Sequence, residues 1–222
     1  MNRKTALLLC SAFFLLIFAA LSKFEDRSFL RNFDFAATVR VQDAVAKVCA
    51  SRCDGLIEDI GFFASPLFSS GVVFLVTLLM ALDYKKRKIR LRALWIPVLF
   101  TFVVLAEIYG KSIVRHPAPP FFMLKNPTTI FPTYHVFEQF SYPSGHAARA
   151  VFLSFLLFPF VQKIRGGVVL LMVYAGVVML GKIYLGQHWA SDVVGGALLG
   201  AGFGLGIWLL TNLNKSHIMH KQ

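Results

Sequence analysis

Six long apolar stretches without charged residues are the feature that most limits the fold of this 222-residue chain. They cover residues 5–22, 60–82, 93–106, 150–162, 166–181 and 193–214. A helix needs about 17–25 largely apolar residues to cross a bilayer, so the first, second and sixth stretches are long enough alone. The other three reach that length if a polar residue lies near one end of each. The pattern predicts an all-α, polytopic membrane protein, a six-transmembrane helix bundle.

The composition agrees with a membrane protein rather than a soluble one. Charged residues make up 15% of the chain, whereas soluble domains carry about 25%. The length indicates one domain over residues 1–222. Glycines at 196, 200 and 204 in the last stretch predict a close-packing helix face, within the bundle or between subunits.

Basic residues in short loops predict the orientation in the membrane. Six of the eight residues 85–92 are basic, and six more fall on the same side if the helices alternate: Arg3, Lys4, Lys163, Arg165, Lys215 and Lys221. That side is predicted to be cytoplasmic, with both termini inside. The placement accounts for much of the net charge of +12 without a nucleic-acid partner.

Arg3 and Lys4 before the first stretch also fit a signal peptide, but the length of the apolar run favours a retained helix.

Residues 23–59 are predicted to form one or two amphipathic helices on the outer surface, with a solvated loop as the alternative. Residues 111–143 contain six prolines and cannot form a continuous helix. Cys49 and Cys53 could form a disulfide, although helical spacing would fit it poorly.

Polar residues interrupt the apolar stretches at the ends predicted to face outward. Lys111 ends the third helix, Ser144, Gly145, His146 and Arg149 open the fourth, Lys182 lies near the end of the fifth, and His188 and Asp192 precede or open the sixth. Ionisable residues at such depth are candidates for function. Interfacial snorkelling is the alternative for a single Lys or Arg, but it does not explain the two histidines.

This set of residues suggests chemistry on an anion. Four cations lie on the outer side, namely Lys111, Arg115, Arg149 and Lys182, and Ser144 with Gly145 begins a helix whose free N–H groups favour an anion. Two histidines can supply a nucleophile and a proton donor. Asp192 follows His188 by four residues and could fix its tautomer. Neither an acidic cluster for magnesium nor zinc spacing is present, so we expect no metal or cofactor.

These residues resemble the type 2 phosphatidic acid phosphatase superfamily, membrane lipid phosphatases related to vanadium haloperoxidases. Pro143-Ser144-Gly145-His146 is similar to the second family signature, and His188 with Asp192 to the third. Lys111 and Pro119 match the first signature, K-x6-R-P. The resemblance covers residues 109–196. A soluble haloperoxidase is excluded by the apolar helices.

The resemblance implies a role for each matching residue. His188 would attack phosphorus, Asp192 would orient His188, and His146 would protonate the leaving oxygen. Lys111, Ser144, the Gly145 amide and Lys182 would hold the phosphate oxygens.

The sequence departs from the family signatures at three positions. Ala118 replaces the arginine of the first signature, and Gly181 and Lys182 replace the Ser-Arg pair of the third. Lysine keeps the charge but lacks the fork of arginine. We hypothesise that Arg115 or Arg149 substitutes for the missing arginine.

Two classes of function follow. The first is a phosphatase acting on a lipid (di)phosphate in a bacterial inner membrane, with the active site facing the periplasm or exterior. Undecaprenyl diphosphate or another polyprenyl phosphate is the favoured substrate, because Lys111, Arg115 and Arg149 are placed as in polyisoprenoid phosphatases. Phosphatidate, phosphatidylglycerol phosphate and lipid A are the alternatives. The second class is a non-catalytic lipid-phosphate binder or transporter.

Overall fold

The computed structural model of the protein describes residues 2–24, 28–83, 88–132 and 139–211, and these ranges are nearly all helical. They contain eight α-helices: α1 (Arg3–Phe24), α2 (Ser28–Cys49), α3 (Asp54–Phe62), α4 (Pro66–Ala81), α5 (Trp95–Val114), α6 (Gly145–Val161), α7 (Gly167–Tyr184) and α8 (Ala190–Thr211). Two short strands, β1 (Leu82–Asp83) and β2 (Lys88–Ile89), pair antiparallel after α4. The predicted all-α membrane fold is confirmed.

The apolar stretches fall in helices of unequal length. Four described helical segments are long and apolar enough to cross a membrane: Arg3–Phe24, Leu91–Val114, Gly167–Tyr184 and Ala190–Thr211. A fifth span results if Ser51–Phe62 and Pro66–Ala81, which meet at a 42° bend, are taken as one. Helix α6 is apolar but has only 17 residues. The chain is therefore an integral membrane protein, and the number of six spans stays a prediction.

Helix α8 packs directly against α6 through its glycines. A Cβ atom at Gly196 would lie 2.2 Å from the Ser144 carbonyl oxygen, and one at Gly200 would lie 2.3 Å from that of Ala148. The two helix backbones therefore touch with no side chain between them. This confirms that the glycine face packs within the bundle. The surrounding core comes from α4, α5, α6 and α8.

Residues 23–59 were predicted to form one or two helices, and helix α2 and the start of α3 lie in this segment. Cys49 ends α2, and the 3₁₀ turn Ala50–Cys53 follows, so the two cysteines are not on one continuous α-helix. Their Cα atoms lie 5.9 Å apart and the sulfurs form a disulfide. The proline-rich segment after α5 contains the 3₁₀ turn Phe121–Met123 and, in its described part, no α-helix. The aromatics at 134 and 137 and the basic residues at 85–87, 215 and 221 lie outside the described ranges.

Candidate active site

The starts of α6 and α8 are joined at the place where the predicted site residues lie. The Ser144 N–H donates to the Asp192 carbonyl oxygen at 2.9 Å. Ser144 also caps α6, with its Oγ accepting from the Ala147 N–H at 3.5 Å. Serine is a favoured residue at this position because its oxygen satisfies one of the free N–H groups of the first turn. The second and third signature segments are thus held together by their main chains.

The turn between α7 and α8 carries His188 into the site. The N–H groups of Gln187 and His188 both donate to the Lys182 carbonyl at 3.1 Å, which closes the turn. Gly186 has a φ of +69°, and a Cβ there would lie 2.2 Å from the Met123 carbonyl oxygen. Only glycine fits both the backbone conformation and the close approach.

Asp192 is fully buried beside His188. The His188 Nδ1 lies 3.5 Å from Asp192 Oδ2, and the Trp189 N–H donates to the same oxygen at 2.8 Å. The His188 side chain keeps 10% of its surface exposed. A carboxylate against one ring nitrogen leaves the other nitrogen, Nε2, for a substrate. His188 and Asp192 are therefore brought together as the sequence predicted.

His146 lies in the first turn of α6 and is half-buried. Its imidazole lies within electrostatic range of Lys182, Arg149, His188 and Lys111. The structure thus gathers both histidines and three of the four predicted cations at one place.

Lys182 is buried in a hydrogen-bonded network that connects α7 to α3. Its Nζ lies 2.9 Å from Glu58 Oε2 and 2.7 Å from Gln187 Oε1, and the Gln187 amide donates to the same Glu58 oxygen at 3.1 Å. Only 2% of Lys182 is exposed. Breaking such a buried ion pair by removing one partner typically costs about 3–5 kcal/mol.

Arg149 is also buried and paired. Its Nε donates to the Ala64 carbonyl at 2.8 Å, and its Nη1 pairs with Glu107. Lys111, one turn after Glu107 on α5, lies 3.3 Å from the other oxygen of that carboxylate. Because Arg149 points into the bundle with 2% exposure, interfacial snorkelling does not describe it.

The Glu107 carboxylate lies directly against Gly145. A Cβ atom at Gly145 would lie 1.9 Å from Glu107 Oε1, so any side chain there would displace this carboxylate. The surface of Gly145 that faces α5 is therefore covered by a protein anion. Glu107 pairs with Arg149 and Lys111, and Glu58 pairs with Lys182, so two carboxylates face three of the cations.

Arg115 differs from the other three cations because it is exposed. It ends α5 with a φ of +54°, and its Nε donates to the Ser112 carbonyl at 3.3 Å. The described hydrogen bond of Arg115 is to its own helix, whereas the hydrogen bonds of Arg149 reach Ala64 and, on α5, Glu107.

Sequence reasoning missed three residues that complete the cluster, namely Glu58, Asp34 and His116. Asp34 of α2 accepts from the Ser191 N–H at 2.8 Å and from Ser191 Oγ at 2.6 Å, so it caps the start of α8. Burial raises the pKa of Asp34. In the sequence, Asp34 and Glu58 are only two carboxylates in a segment predicted to be amphipathic. That pattern does not identify Ser191 or Lys182 as their hydrogen-bond partners.

No group of three or more His, Cys, Asp or Glu side chains in the described ranges is arranged to hold a metal ion.

Residues 101–216 match the sequence model of the PAP2 superfamily, which is more than half of the chain. The chain belongs to the PAP2 superfamily. The match includes every site residue predicted above.

The PAP2 fold is shared with a solved structure. This chain superposes on the crystal structure of the first transmembrane PAP2-type phosphatidylglycerolphosphate phosphatase from Bacillus subtilis with a TM-score of 0.68 and 19% identity. The superposition covers 95% of this chain and 98% of that one.

Two proteins with similar sequences are named sphingosine-1-phosphate phosphatase 2. Those of Mus musculus and Homo sapiens are each 27% identical over 121 residues, half of this chain. The match covers 30% of the mouse protein and 27% of the human one, so this chain spans less than a third of their length.

Proposed function

We propose that this PAP2 protein is a membrane-embedded, metal-independent phosphatase that hydrolyses a lipid (di)phosphate at the extracytoplasmic face. The observation that carries the proposal is the buried Asp192 carboxylate beside His188, in one cluster with His146, Lys111, Arg149 and Lys182. A pure binder needs cations but has no use for an imidazole backed by a carboxylate. Membership of the PAP2 superfamily and the named relatives support the same chemistry.

In the proposed mechanism, His188 Nε2 attacks phosphorus while the bond to the lipid oxygen breaks. His146 gives its proton to that leaving oxygen, and a phosphohistidine remains. Asp192 stabilises the positive charge that develops on the His188 ring. Water then attacks the phosphohistidine, His146 takes a proton from this water, and inorganic phosphate leaves with His188 restored. Phosphoryl transfer depends mainly on positioning and on positive charge around the phosphate oxygens.

We propose that Lys111, Lys182 and Arg149 hold those oxygens together with Ser144 and the Gly145 N–H at the start of α6. Helix N-termini favour anions because of their free N–H groups. In the structure these cations are paired with Glu107 and Glu58. Binding of a phosphate therefore requires each cation to share its hydrogen bonds between a carboxylate and the substrate. Arg149, which is buried in the cluster, is the better candidate than the exposed Arg115 for the missing arginine.

The substrate class is a lipid carrying a terminal phosphate. An undecaprenyl diphosphate or another polyprenyl phosphate is our first candidate, because the run from Lys111 to Arg115 and the position of Arg149 resemble those of polyisoprenoid phosphatases. Phosphatidate, phosphatidylglycerol phosphate and lipid A are the other candidates. The relatives are named for sphingosine-1-phosphate and phosphatidylglycerolphosphate, so a panel has to include these two lipids. A bacterial inner membrane with the site facing the periplasm is the proposed location.

The test is phosphate release from a panel of lipid phosphates by the full chain in detergent with EDTA present. We expect wild type to release phosphate and His188→Ala to release none above background. Lipid binding without turnover by wild type would favour the non-catalytic binder or transporter, and loss of turnover in EDTA would contradict a metal-independent mechanism.

A further inference from the structure

A third imidazole, that of His116, reaches the carboxylate of the site. His116 Nδ1 lies 2.8 Å from Asp192 Oδ1, and the two side chains are 2% and 0% exposed. Because a carboxylate accepts hydrogen bonds, His116 carries a hydrogen on Nδ1 and donates it. The three family signatures specify no residue at position 116.

The two carboxylate oxygens of Asp192 face two different imidazoles, those of His116 and His188. Oδ1 pairs with His116, while Oδ2 accepts from the Trp189 N–H and faces His188 Nδ1 at 3.5 Å. The contact with His116 is the shorter of the two by 0.7 Å. A carboxylate that is held at both oxygens cannot rotate about its terminal bond. The direction of Oδ2 toward His188 is thus set from the opposite side, by His116.

The backbone around His116 is fixed on two sides. The Ser141 N–H donates to the His116 carbonyl at 2.9 Å, and the indole Nε1 of Trp189 donates to the Pro117 carbonyl at 2.8 Å. The left-handed conformation of Arg115 turns the chain at the end of α5 into this position. The His116 ring is therefore placed by hydrogen bonds that the segments before α6 and α8 donate to the carbonyls of His116 and Pro117.

We propose that His116 is a positioning residue, which holds Asp192 so that its second oxygen stays directed at His188. This inference rests on the proposed function of His188 as the nucleophile. At 3.5 Å the contact between Asp192 and His188 is longer than a hydrogen bond, and such contacts often tighten only when substrate binds. Without the His116 donor, the Trp189 N–H alone would hold the Asp192 carboxylate, whose oxygens could then rotate relative to His188.

The test is steady-state kinetics of phosphate release by the full chain with three substitutions at this position. We expect His116→Ala to lower kcat at least about tenfold, as loss of an orienting partner typically does. KM should change little, because His116 acts through Asp192 and does not hold the phosphate. His116→Asn can place an amide N–H near the former Nδ1 and should restore most of kcat, whereas His116→Gln places its amide further out and should not.

A double-mutant cycle with Asp192 separates positioning from a general structural role. We expect His116→Ala to cause no further loss of kcat in an Asp192→Ala background, because residues that act as a unit are not additive. The readout remains valid if His116→Ala folds poorly, since the contrast between the Asn and Gln variants gives the same information.

The outcomes separate this inference from the proposed function. A wild type that releases no phosphate from any lipid would overturn the proposed function and this inference with it. An active wild type would overturn the inference alone if kcat is unchanged or raised in His116→Ala, if Asn and Gln behave alike, or if the losses at 116 and 192 simply add.

Discussion

Lys182 shows how one substitution in a signature changes the contacts of a site residue. An arginine at this position could bind a phosphate and a carboxylate through separate edges of its planar group. The ammonium of Lys182 is compact and already contacts Glu58 and Gln187. A Cβ at Gly61 would lie 3.1 Å from Lys182 Nζ, so α3 approaches closely. The sequence could place Lys182 at the site, but not its partner Glu58, which lies 124 residues away.

The family signatures quoted above do not include Arg149, so its proposed role rests on the structure. We expect Arg149→Ala to lower kcat/KM at least about tenfold, equivalent to about 1.4 kcal/mol of transition-state stabilisation. Arg115→Ala should lose much less, because that side chain is exposed and bonded to its own helix. The measurement is phosphate release under identical detergent conditions. Near-normal activity of Arg149→Ala, or a larger loss in Arg115→Ala, would reject Arg149 as the replacement for the missing arginine.

At the scale of elements, the sequence predicted a close-packing glycine face on α8, but it did not identify α6 as the partner or predict the position of α2. Glycines at every fourth residue predict a close helix contact wherever the partner helix lies. Nothing in the amphipathic pattern of α2 indicates that Asp34 caps the start of α8, because the contact with Ser191 joins residues 157 apart. Helices α2 and α3 therefore support the site through long-range hydrogen bonds that a local pattern cannot encode.

The helix contact can be tested with two glycines that differ only in their surroundings. Gly200→Ala would place a Cβ 2.3 Å from the Ala148 carbonyl, whereas Gly176→Ala on α7 meets nothing within 4 Å. We expect Gly200→Ala to destabilise by about 1–3 kcal/mol, as overpacking does, and Gly176→Ala to be neutral or stabilising. Thermal unfolding in one detergent measures both. Equal stability of the two variants would contradict the close packing of α6 and α8.

For the whole molecule, the apolar stretches and the polar residues at their ends predicted the fold class and the cluster. His146, His188, Asp192, Ser144 and four cations were expected at one membrane face. The structure gathers the two histidines, Asp192, Ser144 and three of those cations, all but Arg115. The sequence did not reveal that Glu107 and Glu58 pair with the cations or that His116 reaches Asp192. These contacts depend on the rotation of each helix about its own axis and on the paths of the loops that connect the helices. The site is consequently closer to neutral than a count of cations suggested.

The most direct test of the whole account is to trap the phosphorylated enzyme. A lipid phosphate labelled in its terminal phosphate is mixed with the full chain, quenched rapidly in base, and the labelled peptide is identified. The account predicts a label that survives base, is lost in acid, maps to His188 and is absent from His188→Ala. A label on another residue, or turnover by His188→Ala at the wild-type rate, would contradict it.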